Sequence, residues 1–454
     1  MPIVLRDYQI KLIDEVREEF RDGIRRPCIV APCGSGKTVI MAWMAKQTAH
    51  NGKRTWFLVH RQELIDQAAQ TFHNMGVRAG IIGSGININE RIQIGSVMTV
   101  VRRMKRLPLP DLIILDEAHH SLAATWRKII TANPQARVIG LTATPIRLNG
   151  DGLGDVFETL VMGPSVSELI ETGNLVNYRY YAPEIKADLS NLRMHGGDYG
   201  REELIARMDR SEIIGDALEH YKQLAIDKRA IIYCAGIEHS KHVTKIFQNA
   251  GIMAAHIDGE TKETERKQTI DAFRRGEIKV ISNVDLISEG FDVPSMDAVI
   301  MLRPTASMGL YVQQAMRAMR PDSGRADKEA LIIDHVGNVH RHGLPDEERA
   351  WSLERKKRKA SNNEVMARTC PACYYTHPIA VRICPGCGHV YEVEERKGPA
   401  EVKGQLFEIS AVERRERRLE LRNARTRRDF EMIAFQRGYK LGWVNHQLRL
   451  RGIK

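Results

Sequence analysis

At 454 residues the chain is too long for one core and should divide into two to four domains; 43% hydrophobic and 28% charged residues are ordinary for a globular protein. A net charge of +11 favours a polyanionic partner, and no apolar run approaches the length a bilayer-spanning helix needs, so no membrane partner is expected. The opening MPIVLRDYQ lacks a signal peptide's layout, so the expectation is a cytoplasmic protein whose seven cysteines, where clustered, bind metal rather than pair.

From the N-terminus to about residue 340, short apolar runs alternate with helical segments. Expected strands are CIVA (28–31), TWFLVH (55–60), LIILD (112–116), VIGLTA (138–143), AIIYCA (230–235), VISNV (280–284), AVIML (298–302) and ALIID (330–334). Continuous apolar strands separated by helices indicate parallel sheets covered on both faces. Polar, glycine-rich stretches, RLNGDGLGD and NLRMHGGDYG, interrupt the pattern and read as a connection between two α/β domains. The expected division is a first domain 1–165, a connector 166–210, a second domain 211–345, a charged linker 346–365, a cysteine-paired segment 366–395 and a basic helical tail 396–454.

APCGSGKT (31–38) follows a strand and precedes a helix, the context of a phosphate loop. Gly34 and Gly36 let the backbone N–H groups, that of Ser35 among them, wrap a phosphate. Lys37 would reach the β- and γ-phosphates of a nucleotide, and Thr38 would ligate Mg²⁺. LIILDEAHH places Asp116 and Glu117 at a strand's carboxyl end, where a cation is the natural partner of buried acids. Asp116 suits Mg²⁺ and Glu117 suits activating a water; the plainer alternative is a helix cap. GLTATP (140–145) ends the next strand with Thr142 and Thr144. LVHRQELIDQ and GSVMT end strands in groups that either hold a sugar–phosphate backbone or form ordinary loops.

VQQAMRAMR (312–320) reads as one amphipathic helix. Gln313, Arg317 and Arg320 share a face, and Val312, Ala315, Met316 and Met319 form the buried side. The arginines then either sit in solvent or point at a phosphate.

Cys370, Cys373, Cys384 and Cys387 form two C-x-x-C pairs separated by ten residues, suited to a small Zn²⁺ ribbon, with His389 as a substitute ligand. Cys28 and Cys234 read as strand core, and Cys33 as a thiol tolerated in the phosphate loop. Eight arginines between Arg414 and Arg428 suit either a solvated helix or phosphate binding. Phe435, Tyr439 and Trp443 then recur every four residues, as a base-stacking stripe or the packing of a small helical cap.

LRDYQ (5–9), APCGSGKT, LVHRQEL, DEAH and LTATP, in that order, resemble a superfamily 2 helicase core. IDGET (257–261), ISNVDLISEGFDVP (281–294) and LYVQQAMRAMRP (310–321) continue the resemblance through residue 345 or so. It implies two tandem RecA-like domains and an ATP-dependent motor using Mg²⁺. It further implies that Gln9 and its neighbours read adenine, that Arg61, Gly95 and Ser96 touch the nucleic-acid backbone, and that His119, Thr142 and Thr144 couple hydrolysis to movement. Gly290 and Asp292 take ribose and metal contacts, and Arg317 and Arg320 become phosphate-binding arginines, one of them an arginine finger. Met98 stands where many relatives have glutamine, and Met316 where they usually have glycine. With the cysteine pairs, the chain is similar to RadD-like DNA repair helicases and compact bacteriophage helicases. That implies single-stranded or branched DNA as partner, with single-strand-binding or repair proteins beside it. The alternatives are an RNA helicase or an ATP-gated subunit of a nuclease or restriction complex.

Overall fold

The computed structural model describes residues 4–60, 63–83, 90–120, 124–146, 152–183, 194–195, 198–199, 204, 211–284, 286, 296–322, 324–349, 351–354, 367–378, 381–391, 424, 426–437, 444 and 448.

The first sheet contains β1 (Pro27–Val30), β2 (Thr55–Val59), β3 (Gly80–Ile82), β4 (Ile92–Ser96), β5 (Leu112–Leu115), β6 (Arg137–Thr142) and β7 (Thr159–Met162). Their order is β3-β4-β2-β5-β6-β1-β7, every pairing parallel. Alternation along the strands feeds two cores. Ile29, Phe57, Ile114 and Ile139 meet Leu12, Ile13, Met41 and Phe72 from the helices Asp7–Arg21, Lys37–His50 and Glu63–Asn74. On the other face Trp56, Leu58, Ile113 and Val138 meet Val97, Val100, Trp126 and Ile129. Both faces are covered, which is why these strands read as unbroken apolar runs.

The second sheet is built from β8 (Tyr178–Tyr181), β11 (Ala230–Tyr233), β12 (Ala254–Ile257), β13 (Val280–Asn283), β14 (Ala298–Met301), β15 (Ala330–Asp334), β16 (Ala367–Thr369) and β17 (Tyr375–Pro378); β9 (Met194–His195) and β10 (Asp198–Tyr199) pair separately. Its order is β12-β13-β11-β14-β15-β8-β17-β16, parallel through β8 and antiparallel from β8 to β17 and β16. The cysteine-paired segment thus prolongs this sheet, and β8 lies inside the stretch expected to be a connector. Tyr180 in β8 is fully buried, and its hydroxyl donates to Asp334 Oδ2 at 2.9 Å.

The expected helix over 312–320 is shorter in the structure. It runs Met308–Ala315, and Met316 to Met319 form turns. Pro321 disfavours a helical Arg320, and the Met319 carbonyl accepts from Val176 N at 2.8 Å. No solvent-facing arginine stripe results: Gln313 and Arg317 are 3% and 6% exposed.

After Leu344 the chain turns back toward the first domain. Arg349 donates to the carbonyls of His342, Leu344, Pro345 and Glu347. Leu353 packs against the Trp56 core, and its carbonyl accepts from Gly154 N at 2.9 Å. The start of the expected charged linker is therefore a strap joining both cores.

A separate unit spans Glu392–Lys454. There the helix Arg427–Arg437 buries Phe430, Ile433 and Ala434 with Ala424, Val444 and Leu448. The Phe435 side chain, Tyr439, Trp443 and most of the Arg414–Arg428 run lie outside the described residues. Among the described residues no helix is long and apolar enough to cross a membrane.

Candidate active site and metal centre

The phosphate loop leaves β1 and enters the helix Lys37–His50. Gly34 and Gly36 take φ of +86° and +74°, left-handed values that let successive N–H groups converge on one point. Tyr8 Oη and Gln9 Nε2 donate to the Ser35 carbonyl at 2.7 and 3.0 Å, and Gln9 Oε1 accepts from Arg6 N at 3.0 Å. Gln9 is thus docked on the loop itself. Lys37 Nζ rests on the carbonyls of Ala31 and Pro32 at 3.3 and 3.5 Å, and Thr38 follows it, half-buried, in the first helical turn. The Ser35 hydroxyl is buried without a hydrogen-bond partner among the described residues, which fits a loop shaped for a ligand.

Asp116 and Glu117 follow β5. The Asp116 carboxyl, enclosed although the residue keeps some open surface, is pushed up to about 7 by burial and then by the neighbouring Glu117 charge, with Lys37 and His60 opposing. Such an acid favours a nearby cation. Glu117 has φ of +50°, strain held at one residue in a region non-glycine side chains rarely visit. Its Oε2 lies 3.4 Å from His119 Nδ1, and that nitrogen is 3.1 Å from Thr142 Oγ1. Thr142 Oγ1 in turn donates to the Thr144 carbonyl at 2.9 Å. The two loops expected to communicate are joined by a continuous polar chain.

The second domain closes on this site. Arg320 Cγ would lie 3.9 Å from a Cβ placed on Gly34, and Thr144 Oγ1 would lie 2.8 Å from one on Gly309. Burial pushes the Tyr233 phenol up, with the Arg317 and Arg320 charges opposing, so both guanidinium groups are close to the end of β11. A cavity of about 550 Å³ where the domains meet is walled by Pro32, Thr144, Met316 and the strap residues Asp346 and Arg349.

Other expected site residues are placed differently or not at all. Gly95 and Ser96 are buried; the Ser96 hydroxyl accepts from Thr99 N at 3.2 Å and caps the helix Val97–Arg103, so neither offers an open side group. Met98 beside them is 50% exposed. Arg61, Gly290 and Asp292 lie outside the described residues. The sequence singled out neither Tyr233 nor the strap; Tyr8 was expected only as a neighbour of Gln9 on the adenine side.

Cys370, Cys373, Cys384 and Cys387 bring their sulfurs within 4.8 Å of one another. Two pairs are 3.7 and 3.6 Å apart, near the ~3.8 Å edge of a tetrahedron with metal–sulfur bonds of about 2.3 Å. The two loops repeat one design. Tyr374 N donates to Cys370 O at 2.8 Å and Gly388 N to Cys384 O at 2.9 Å, with φ of 59° and 76° at those two residues. The donor set and spacing fit Zn²⁺.

Two parallel α/β sheets meeting at a phosphate loop, with paired acids on one side and arginines on the other, define a two-domain P-loop nucleotide hydrolase. Residues 2–147 match the type III restriction enzyme res subunit family, and 210–322 the helicase conserved C-terminal domain. The chain is 39% identical over 382 residues to a 51.5 kDa protein of Lactococcus phage (isolate 7-9), covering 83% of this chain and 81% of that one. It is 30% identical over 357 residues to the putative ATP-dependent helicase IRC3 of Saccharomyces cerevisiae, covering 74% of this chain and 52% of that one. Identity to the DNA 3'-5' translocase XPB2 of Sulfurisphaera tokodaii is 24% over 382 residues, or 74% and 82% of the two chains. The fold matches a fragment of a putative HsdR subunit of a type I restriction enzyme from Vibrio vulnificus YJ016, with a TM-score of 0.61, 22% identity, and 76% and 66% of the chains covered. The chain belongs to the superfamily 2 helicases, with two RecA-like domains. It is a nucleic-acid-dependent ATPase of the class that uses ATP and Mg²⁺.

Proposed function

We propose that this chain is an ATP-driven motor on DNA, moving along or remodelling single-stranded or branched substrates. The observation that carries the reading is the approach of Arg320 to Gly34 across the domain junction, which brings the arginine turn onto the phosphate loop. The +11 charge suits a polyanion, and a relative named as a DNA translocase favours DNA over RNA.

Bound nucleotide and Mg²⁺ supply the phosphoryl group and a charge to neutralise it. The chain's residues do the rest. Backbone N–H groups at Gly34, Ser35 and Gly36 wrap the phosphates, and Lys37 swings from its carbonyl rests to meet them. Thr38 and Asp116 hold the cation, and Glu117 orients and deprotonates the attacking water. Arg317 and Arg320 stabilise charge on the transferring group. Gln9 stays on the adenine side of the loop, and Gly290 and Asp292 take ribose and metal contacts. His119, Thr142 and Thr144 transmit the state of the site. Arg61, Gly95 and Ser96 form the first-domain contact to the nucleic-acid backbone, through backbone atoms in the case of Gly95 and Ser96. The four cysteines hold one Zn²⁺ that folds the ribbon, and clustered thiolates suit a reducing cytoplasm.

The match to restriction-enzyme subunits favours one second reading, an ATP-gated subunit of a nuclease complex. Steady-state ATP hydrolysis with single-stranded DNA, forked duplex or RNA separates these, with Glu117→Gln as the inactive control. Stimulation by DNA supports the motor. Stimulation by RNA alone overturns the choice of DNA, and no stimulation by any of them favours the gated subunit.

A further inference from the structure

Arg320 stands beyond the end of its helix, after turns whose backbone is held by local bonds such as Met319 N to Met316 O at 3.2 Å. Contacts from outside the turn also hold it. Val176 N donates to Met319 O at 2.8 Å, and the ammonium of Lys328 donates to the carbonyl of Arg320. Lys328 is 8% exposed, and burying an ammonium costs free energy that its surroundings must offset.

Those surroundings come from three places. Asp297 precedes β14, Arg229 precedes β11, and Asp322 and Arg325 lie on the loop leading to Lys328. The acids are already engaged. Arg325 bonds Asp297 and lies 3.4 Å from Asp322 Oδ2; Arg229 N donates to Asp297 Oδ2 at 3.1 Å. The directional bond of Lys328 therefore goes to the carbonyl of Arg320.

We infer that Lys328 is a positioning residue for catalysis: it clamps the Arg320 carbonyl so that the guanidinium projects toward the phosphate loop. The inference rests on the proposed reading of Arg320 as the residue that stabilises phosphoryl charge. Burial, with the Arg325 charge adding and Asp297 opposing, brings the Lys328 ammonium down to about 8. The clamp accordingly weakens when the amine loses its proton above that pH.

The test uses the full chain with saturating single-stranded DNA and the variants Lys328→Met, Lys328→Arg, Arg320→Ala and the Lys328→Met/Arg320→Ala double variant. Lys328→Met should lower kcat about tenfold to a hundredfold with nucleotide affinity within about twofold, the signature of a contact felt in the transition state. Added to Arg320→Ala it should cost nothing further, because both act through one guanidinium. Wild-type hydrolysis should decline above about pH 8, and Lys328→Arg should hold its rate to higher pH. Losses that multiply, an unchanged kcat in Lys328→Met, or identical alkaline limbs in wild type and Lys328→Arg would each overturn the inference. If Lys328→Met fails to fold, the alkaline comparison decides. Full activity in Arg320→Ala would instead overturn the reading of Arg320.

Discussion

His119 Nδ1 and Thr142 Oγ1 lie 3.1 Å apart, joining the loop after β5 to the loop after β6 through one buried hydrogen bond. Thr142 is fully buried and also accepts from Thr144 N at 3.2 Å, so a single hydroxyl organises the whole turn. Thr142→Val keeps the volume and removes these bonds. Nucleotide binding should persist, while stimulation of hydrolysis by nucleic acid should fall about tenfold, roughly 1.4 kcal/mol of coupling. The ratio of stimulated to basal rate measures this, and an unchanged ratio would show that the pair only packs.

The four cysteines make a second expectation. Chelation or Cys373→Ser should remove about one zinc per chain, read by elemental analysis. The consequence should reach the second domain, because Tyr375 and Thr376 of β17 pair with Tyr181 and Tyr180 of β8, and Ala182 N donates to Tyr374 O at 3.2 Å. Amide exchange at Ala182 should quicken on metal removal. Zinc-free protein with the same protection there would mean that the sheet edge stands without metal.

Much of this architecture was legible in the chain. The eight expected strands appear because each is an aliphatic run buried on both faces, and the phosphate loop announces itself because its geometry is local. β8 stayed hidden because YRYY, with one buried tyrosine between half-buried residues, carries no aliphatic signal, and it gains its place by pairing with β15 and β17. The strap was unreadable for a different reason: Trp351 and Leu353 are too few apolar residues to set a helical or strand period, and the contacts of Leu353 lie far off in sequence. At the site, the acids and the loop lysine could be placed from motif spacing. The burial of Ser96 and the end of the helix at Ala315 could not, since the bond from Thr99 N to the Ser96 hydroxyl and the pull of Val176 on Met319 are known only once the chain is folded.

The strap itself can be tested at Gly152. A Cβ there would lie 2.1 Å from Leu353 O, a clash with backbone that no rotamer relieves. Gly152→Ala should lift the strap and destabilise the chain by about 1–3 kcal/mol, as overpacking does. Leu353→Ala in the same background should add little, since the contact is already lost. Fully additive losses in urea unfolding would show that the two residues act separately.

Acid should loosen the second domain through His342. Burial brings its imidazole down to about 4, while it stacks on Tyr311 at 5.2 Å and its Nε2 donates to Thr305 O at 2.8 Å. The folded value lies below the ordinary value near 6.5, so between those limits the unfolded chain binds the extra proton. Stability is then present in full above about pH 6.5 and falls as pH drops toward 4, by at most about 1.4 kcal/mol per pH unit from this site. His342→Gln keeps a donor for Thr305 and cannot titrate. Its unfolding free energy between pH 7 and 5 should slope less steeply than wild type, and equal slopes would assign the acid sensitivity to other groups.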